Sequence, residues 1–257
     1  VGVGSSFSFI FQHPSWPGRV LIGGFLELFP LLVVVPGMLA LTHSTRHLRP
    51  SLLIAGLLAA GLALLCRWIQ LGYMRRIAAE VMAGREAGLP AWDRFETDLT
   101  EGLKLWLVSI GLMLPVLGIA ASLLLLFGAV GLRPLGWVLA LLTLPVAGAA
   151  TLFYLPAALL ATVAEGTLVA AFDLSSVAAR LGRVFAPYLL AVLVAFATEV
   201  LAQLGLLLAC VGIFFTRFVA HCIAVHAFAS AWADTRPAAE PGLSPHAVSD
   251  AGATKWA

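Results

Sequence analysis

LWLVSIGLMLPVLGIAASLLLLF, residues 105–127, carries no charged side chain from Leu105 to Phe127. As a helix rising ~1.5 Å per residue it would be roughly 35 Å long, enough to cross a bilayer core of about 30 Å. Leucines crowd together without alternating with polar residues, so the period of a β-barrel strand is absent. A helix apolar all round needs lipid or a large core around it. The rest of the chain decides for lipid. Of 257 residues, 61% are apolar and 11% charged, against about 25% charged in water-soluble domains.

Working outward, five more stretches have the same character. The expected spans are residues 18–42, 51–72, 105–127, 134–155, 187–209 and 211–233. Short turns at 43–50, 128–133 and 210–212 join them in pairs. Longer connections at 73–104 and 156–186 hold most of the charge. The fold class read from this pattern is an all-α integral membrane protein of six transmembrane helices, arranged as three helical hairpins.

The long connections are themselves patterned. Trp92, Phe95, Leu99, Leu103 and Trp106 recur at helical spacing, as do Leu174, Val177, Leu181, Val184 and Tyr188. Apolar stripes of this kind beside a span predict helices lying in the membrane interface, near 73–84, 92–104 and 172–186. Packing on a soluble partner is the competing reading. An N-terminal interfacial segment is expected at 1–17, and a polar, Pro-rich tail at 234–257. Trp16, Trp92-Asp93 and Phe172-Asp173 each open a unit with basic residues and a following proline (Pro30, Pro115, Pro187), which suggests a threefold internal repeat.

Basic residues set the expected orientation. With the N-terminus inside, Arg19, Arg75, Arg76, Arg85, Arg94, Lys104, Arg180, Arg183, Arg236 and Lys255 face the cytoplasm. Arg46, Arg49, Arg133 and Arg217 face away, so both termini are expected in the cytoplasm. Arginine replaces lysine almost throughout and asparagine is absent. That usage fits a prokaryotic cytoplasmic (inner) membrane.

Net charge of +2 without a basic patch gives no reason to expect a nucleic-acid partner. The expected partner is the lipid bilayer, with a protein partner or a second copy of the chain also open. Cys66, Cys210 and Cys222 lie in apolar stretches and form no CxxC pair, so buried thiols are expected rather than a disulfide framework or a zinc ribbon. No Walker loop, GxGxxG, HExxH or GxSxG motif is found. His43 and His47 could hold a metal only with a third ligand, and none is evident. No metal site and no cofactor are assigned.

Ionisable residues inside spans are rare because each costs ~2.5–3.5 kcal/mol at the membrane centre. Glu199, Gln203 and His221 fall at similar expected depths on the fifth and sixth spans. They make a candidate intramembrane polar site, read either as a proton or ion site or as a latch between helices. Glu27 and Arg67 share one half of the first hairpin and form a candidate ion pair. Alternatively, Arg67 reaches toward the headgroups beside Trp68.

Several motifs together carry a resemblance. They are Phe7-Ser8-Phe9-Ile10-Phe11-Gln12-His13-Pro14-Ser15-Trp16, Leu21-Ile22-Gly23-Gly24, Gly72-Tyr73, Leu89-Pro90-Ala91-Trp92-Asp93, Gly102-Leu103, Ala164-Glu165-Gly166 and Phe172-Asp173. Over roughly residues 7–233 the chain resembles the prokaryotic multi-pass membrane family catalogued as domain of unknown function 4013. About forty residues separate Pro30 from Gly72 here, which implies a first hairpin longer than is usual in that family. The resemblance implies the architecture and supplies no catalytic residue. Three functions are carried forward: a structural or accessory membrane component, a transporter or permease-like protein, and a membrane-embedded enzyme.

Overall fold

The computed structural model describes residues 3–43, 50–85, 88–207 and 211–234. Among these residues the fold is all-helical, with no strand. A short helix α1 (Val3–Ser8) and a 3-10 turn (Phe9–Phe11) precede α2 (Trp16–His43) and α3 (Pro50–Met82). There follow α4 (Phe95–Ala129), α5 (Arg133–Glu165), a 3-10 turn (Leu168–Ala171), α6 (Leu174–Arg183), α7 (Phe185–Ala202), a 3-10 turn (Gln203–Leu207) and α8 (Gly212–Ala233).

Helices α2, α3 and α8 pack on one another; α4 lies along α3, α5 along α4, and α7 along α8. Among the described residues five segments are long and apolar enough to cross a membrane: Ile54–Met82, Phe95–Ala129, Pro134–Glu165, Phe185–Leu207 and Gly212–Ala233. Their surface is greasy. Leu57 is 74% exposed, Leu125 75% and Phe196 70%, while the interior is filled by Tyr73, Tyr188, Phe218 and small residues. Such continuous apolar exposure suits lipid and would drive aggregation in water.

Local chemistry explains the boundaries. Glu96 and Asp98 sit in the first turn of α4, where acidic groups favour the helix dipole. The α4–α5 turn closes through Gly131 at φ +78° and a hydrogen bond from the Leu132 N–H to the Phe127 carbonyl, 2.8 Å; Pro134 then opens α5. Gly166, left-handed at φ +70°, ends α5. Asp173 caps α6 by accepting from the Ser176 N–H at 3.0 Å and the Ser175 hydroxyl at 2.7 Å.

The sequence expectations need correction in several places. Two expected interfacial helices, near 73–84 and 92–104, are not separate elements. The first is the end of α3 and the second the start of α4, both running unbroken into their spans. No proline interrupts residues 51–82 or 95–114, so hydrogen bonding simply continues. Helix α5 likewise extends to Glu165 rather than stopping near 155, and α7 yields to a 3-10 turn after Ala202. Only α6 within 172–186 stands as its own short amphipathic helix. The N-terminal segment packs on the bundle: Ser6, Phe9 and Ile10 are buried, and Ser6 Oγ sits 3.0 Å from Nδ1 of His226 on α8. The turn at 44–49 with His47, Cys210, and the tail from residue 235 onward lie outside the described residues.

Candidate functional site

Four helices deliver polar side chains to one place inside the apolar bundle. Glu27 comes from α2, Gln70 from α3, Glu199 from α7, and Arg217 and His221 from α8. Arg217 and His221 are one helical turn apart, so they share a face of α8. That face meets α2 closely because Gly23 and Gly24 have no side chains; a Cβ at either would run into the rings of Phe218 and Phe215.

His221 is the centre of the cluster. Its Nδ1 lies 3.7 Å from Glu27 Oε1, and its Nε2 lies 3.9 Å from Glu199 Oε2. Gln70 donates to Glu27 Oε2 at 2.6 Å and to the Gly23 carbonyl at 3.3 Å. Arg217 pairs with Glu199 through Nε at 3.2 Å. The Glu27 side chain is 11% exposed and that of Glu199 39%, so the cluster runs from the interior toward the flank of the bundle. Two carboxylates flanking one imidazole can share and exchange protons, since imidazole both accepts and donates through its two nitrogens.

Against the sequence expectations, the structure merges the two candidate groups and revises both. Glu199 and His221 do meet, but Gln203 does not join them. It is exposed in the 3-10 turn, donating only to the Glu199 carbonyl at 3.4 Å. Glu27 and Arg67 make no ion pair; Glu27 turns to Gln70 and His221 instead. Gln70 and Arg217 were missed. Gln70 is an amide inside an apolar span and could have been flagged, whereas Arg217 was counted to the far side from its distance to the turn. Among the described residues no His, Cys, Asp and Glu group could hold a metal ion.

The family-motif residues form a second constellation, within a turn of Gln70 on α3 and extending from there to α4 and the loop between them. Gly72 and Gly102 let α3 and α4 touch backbone to backbone. Tyr73, fully buried, donates to the Pro90 carbonyl at 2.9 Å and stacks on Trp92 with ring centroids 3.9 Å apart. Trp92 in turn donates its indole N–H to the Arg19 carbonyl at 2.9 Å, and Leu89 is buried beneath the same loop. Trp16 packs against this core.

Arg76, which the sequence reading passed over, binds Asp93 at 2.9 Å, Asp98 at 2.8 Å and the Ala91 carbonyl at 2.8 Å. The guanidinium beside Asp93 holds that carboxyl below its usual range. Asp98, although it stands among charged residues in the sequence, is buried. In the Ala164-Glu165-Gly166 and Phe172-Asp173 motifs, Glu165 pairs with Arg180 at 2.5 Å, and Phe172 covers Gly111 of α4. The Ser175 hydroxyl and the Ser176 N–H hold the Asp173 carboxyl below its usual range. These motif residues tie the loops and helix starts to the bundle.

No curated protein and no solved structure matches the chain. A family profile described as "Protein of unknown function (DUF4013)" matches residues 55–214, a region that takes in α3 to α7 with the Gly72-Tyr73 and Trp92-Asp93 motifs. The chain belongs to this family of unknown function, DUF4013.

Proposed function

We propose that this is a six-span protein of a prokaryotic cytoplasmic membrane, with both termini in the cytoplasm, and that it acts as a permease-like protein through a proton-exchanging site at Glu27, His221 and Glu199. The observation that carries this reading is the placing of His221 between two carboxylates from different helices, 3.7 and 3.9 Å away. Ionisable groups inside membrane segments are costly and typically mark ion or proton paths. Here they bridge α2, α7 and α8, so a change in protonation alters the attraction between helices that would have to move.

Infrared difference spectra of the purified chain in nanodiscs, taken between acidic and alkaline pH, test it. A protonated-carboxyl band that comes and goes with pH is expected, and Glu27→Gln should remove or shift it. If neither Glu27→Gln nor Glu199→Gln changes the spectrum, the reading is rejected.

One observation favours a second reading, a structural or accessory membrane component. The family-motif residues Gly72, Tyr73, Trp92 and Gly102 bind helices and loop together, and none of the hydrogen bonds or ion pairs described above links them to the polar cluster. Such a protein would keep its full cellular role with Glu27 and Glu199 both changed to Gln.

A further inference from the structure

Beside the cluster a half-open groove of about 340 Å³ lies between α3, α5 and α8. One face of α3 forms its floor, with Arg67, Gln70, Leu71, Met74, Arg75 and Ala78 recurring at helical spacing. From Arg67 to Ala78 this floor runs ~16 Å. The facing wall is apolar, built from Leu155, Leu159, Leu160 and Val163 of α5 with Val225 and Phe228 of α8.

Three of the four hydrogen-bonding side chains along it are engaged. Arg75 pairs with Glu101 at 3.1 Å. Gln70 donates to Glu27, and His221 lies between the two carboxylates. Arg67 is different: among the described residues it makes neither an ion pair nor a hydrogen bond. A half-open apolar slot between helices long and apolar enough to span a membrane thus carries one exposed guanidinium without an ion pair among the described residues.

We infer that this cavity binds a single-chain amphiphile with an anionic head, the acid group on Arg67 and the chain along the α5 wall. Charge complementarity selects the head, because an anion would pair with an exposed guanidinium that forms no ion pair among the described residues and lies close enough to His221 to act on it electrostatically. The wall selects the chain, since leucine and valine side chains offer it no polar partner. The volume is near the lower end of small-molecule sites, which run from about 300 to 1,000 Å³, and so favours one chain over two. Binding here goes beyond the permease reading and requires no proton exchange at Glu27.

Equilibrium binding of tritiated palmitate to the full chain in phosphatidylcholine nanodiscs is the test. Saturable uptake of one palmitate per chain is expected, weakened ~10-fold or more by Arg67→Gln and largely kept by Arg67→Lys. Leu159→Trp, which fills the slot and leaves the charge, should abolish saturation even where Arg67→Gln does not fold. Unsaturable partitioning overturns the inference, as does equal binding of hexadecanol. Displacement of palmitate by an equal amount of phosphatidylglycerol would also overturn it in favour of a two-chain lipid. Infrared spectra from the same samples keep this outcome separate: a Glu27 band that still responds to pH leaves the permease reading standing when palmitate fails.

Discussion

Gly72 and Gly102 bring α3 and α4 together at their backbones, each filling with a main-chain carbonyl the space where a side chain would stand. A Cβ on Gly72 would overlap the carbonyl of Asp98, and one on Gly102 that of Trp68. Lipid gives apolar helices little reason to associate, so close approach through small residues becomes a main source of cohesion. This contact also places Asp98 of α4 beside Arg76 of α3, which is how the loop between the two helices is captured.

Alanine at either glycine must push the helices apart. Gly72→Ala and Gly102→Ala are each expected to lose ~1–3 kcal/mol through overpacking, read as a lower melting temperature of the detergent-solubilised protein. Gly61→Ala is the control. Nothing stands within 4 Å of its Cβ, and alanine in a helix interior gains roughly 0.5–1 kcal/mol over glycine. Equal melting temperatures for Gly102→Ala and Gly61→Ala would show that the contact is looser than described.

Arg76→Ala strands Asp98, whose side chain is 1% exposed and whose Oδ1 has no hydrogen-bond partner. Breaking a buried pair on one side costs roughly 3–5 kcal/mol, whereas Arg75→Ala, in a more open pair with Glu101, should cost ~0–1 kcal/mol. Asp93 adds a pH dependence. Arg76 lowers its pKa, so the stabilisation is complete above the ordinary carboxylate range and disappears as pH falls through the lowered value. The wild type should therefore lose melting temperature on acidification below about pH 4 more steeply than Asp93→Asn does. Parallel curves for the two proteins would remove Asp93 from the account.

Composition and run length made the helical membrane class legible, because the absence of charge between Leu105 and Phe127 admits few alternatives. Helix ends were less so. The stripe Phe95, Leu99, Leu103 looks the same whether it begins a long helix or forms a separate one, since periodicity does not register where a helix stops. The polar site was half legible. Glu199 and His221 could be matched by counting from their shared turn, but Glu27 belongs to another hairpin, and nothing local in sequence sets the rotation that turns it from Arg67 to Gln70 and His221. Asp98 stands among charged residues in sequence, and its burial follows from the close backbone contact at Gly72, which no local pattern announces.

The six crossings proposed above agree with where three parts of the chain gather. Trp92, in the loop after α3, holds the Arg19 carbonyl at the start of α2, and Ser6 meets His226 near the end of α8. The start of α2, the loop between α3 and α4, and the end of α8 thus share one end of the bundle, which also carries Arg75, Arg76 and Arg94. An even number of traverses returns the chain there, as the proposed crossing of α2 together with the five long apolar helices would. Basic residues favour the cytoplasmic face. Fluorescent-protein fusions after Gly84 and after Asp234 should therefore glow, and alkaline phosphatase fused after Gly131 should be active. A fusion after Asp234 that is active as phosphatase and dark as fluorescent protein would leave five crossings and place the two ends of the chain on opposite faces.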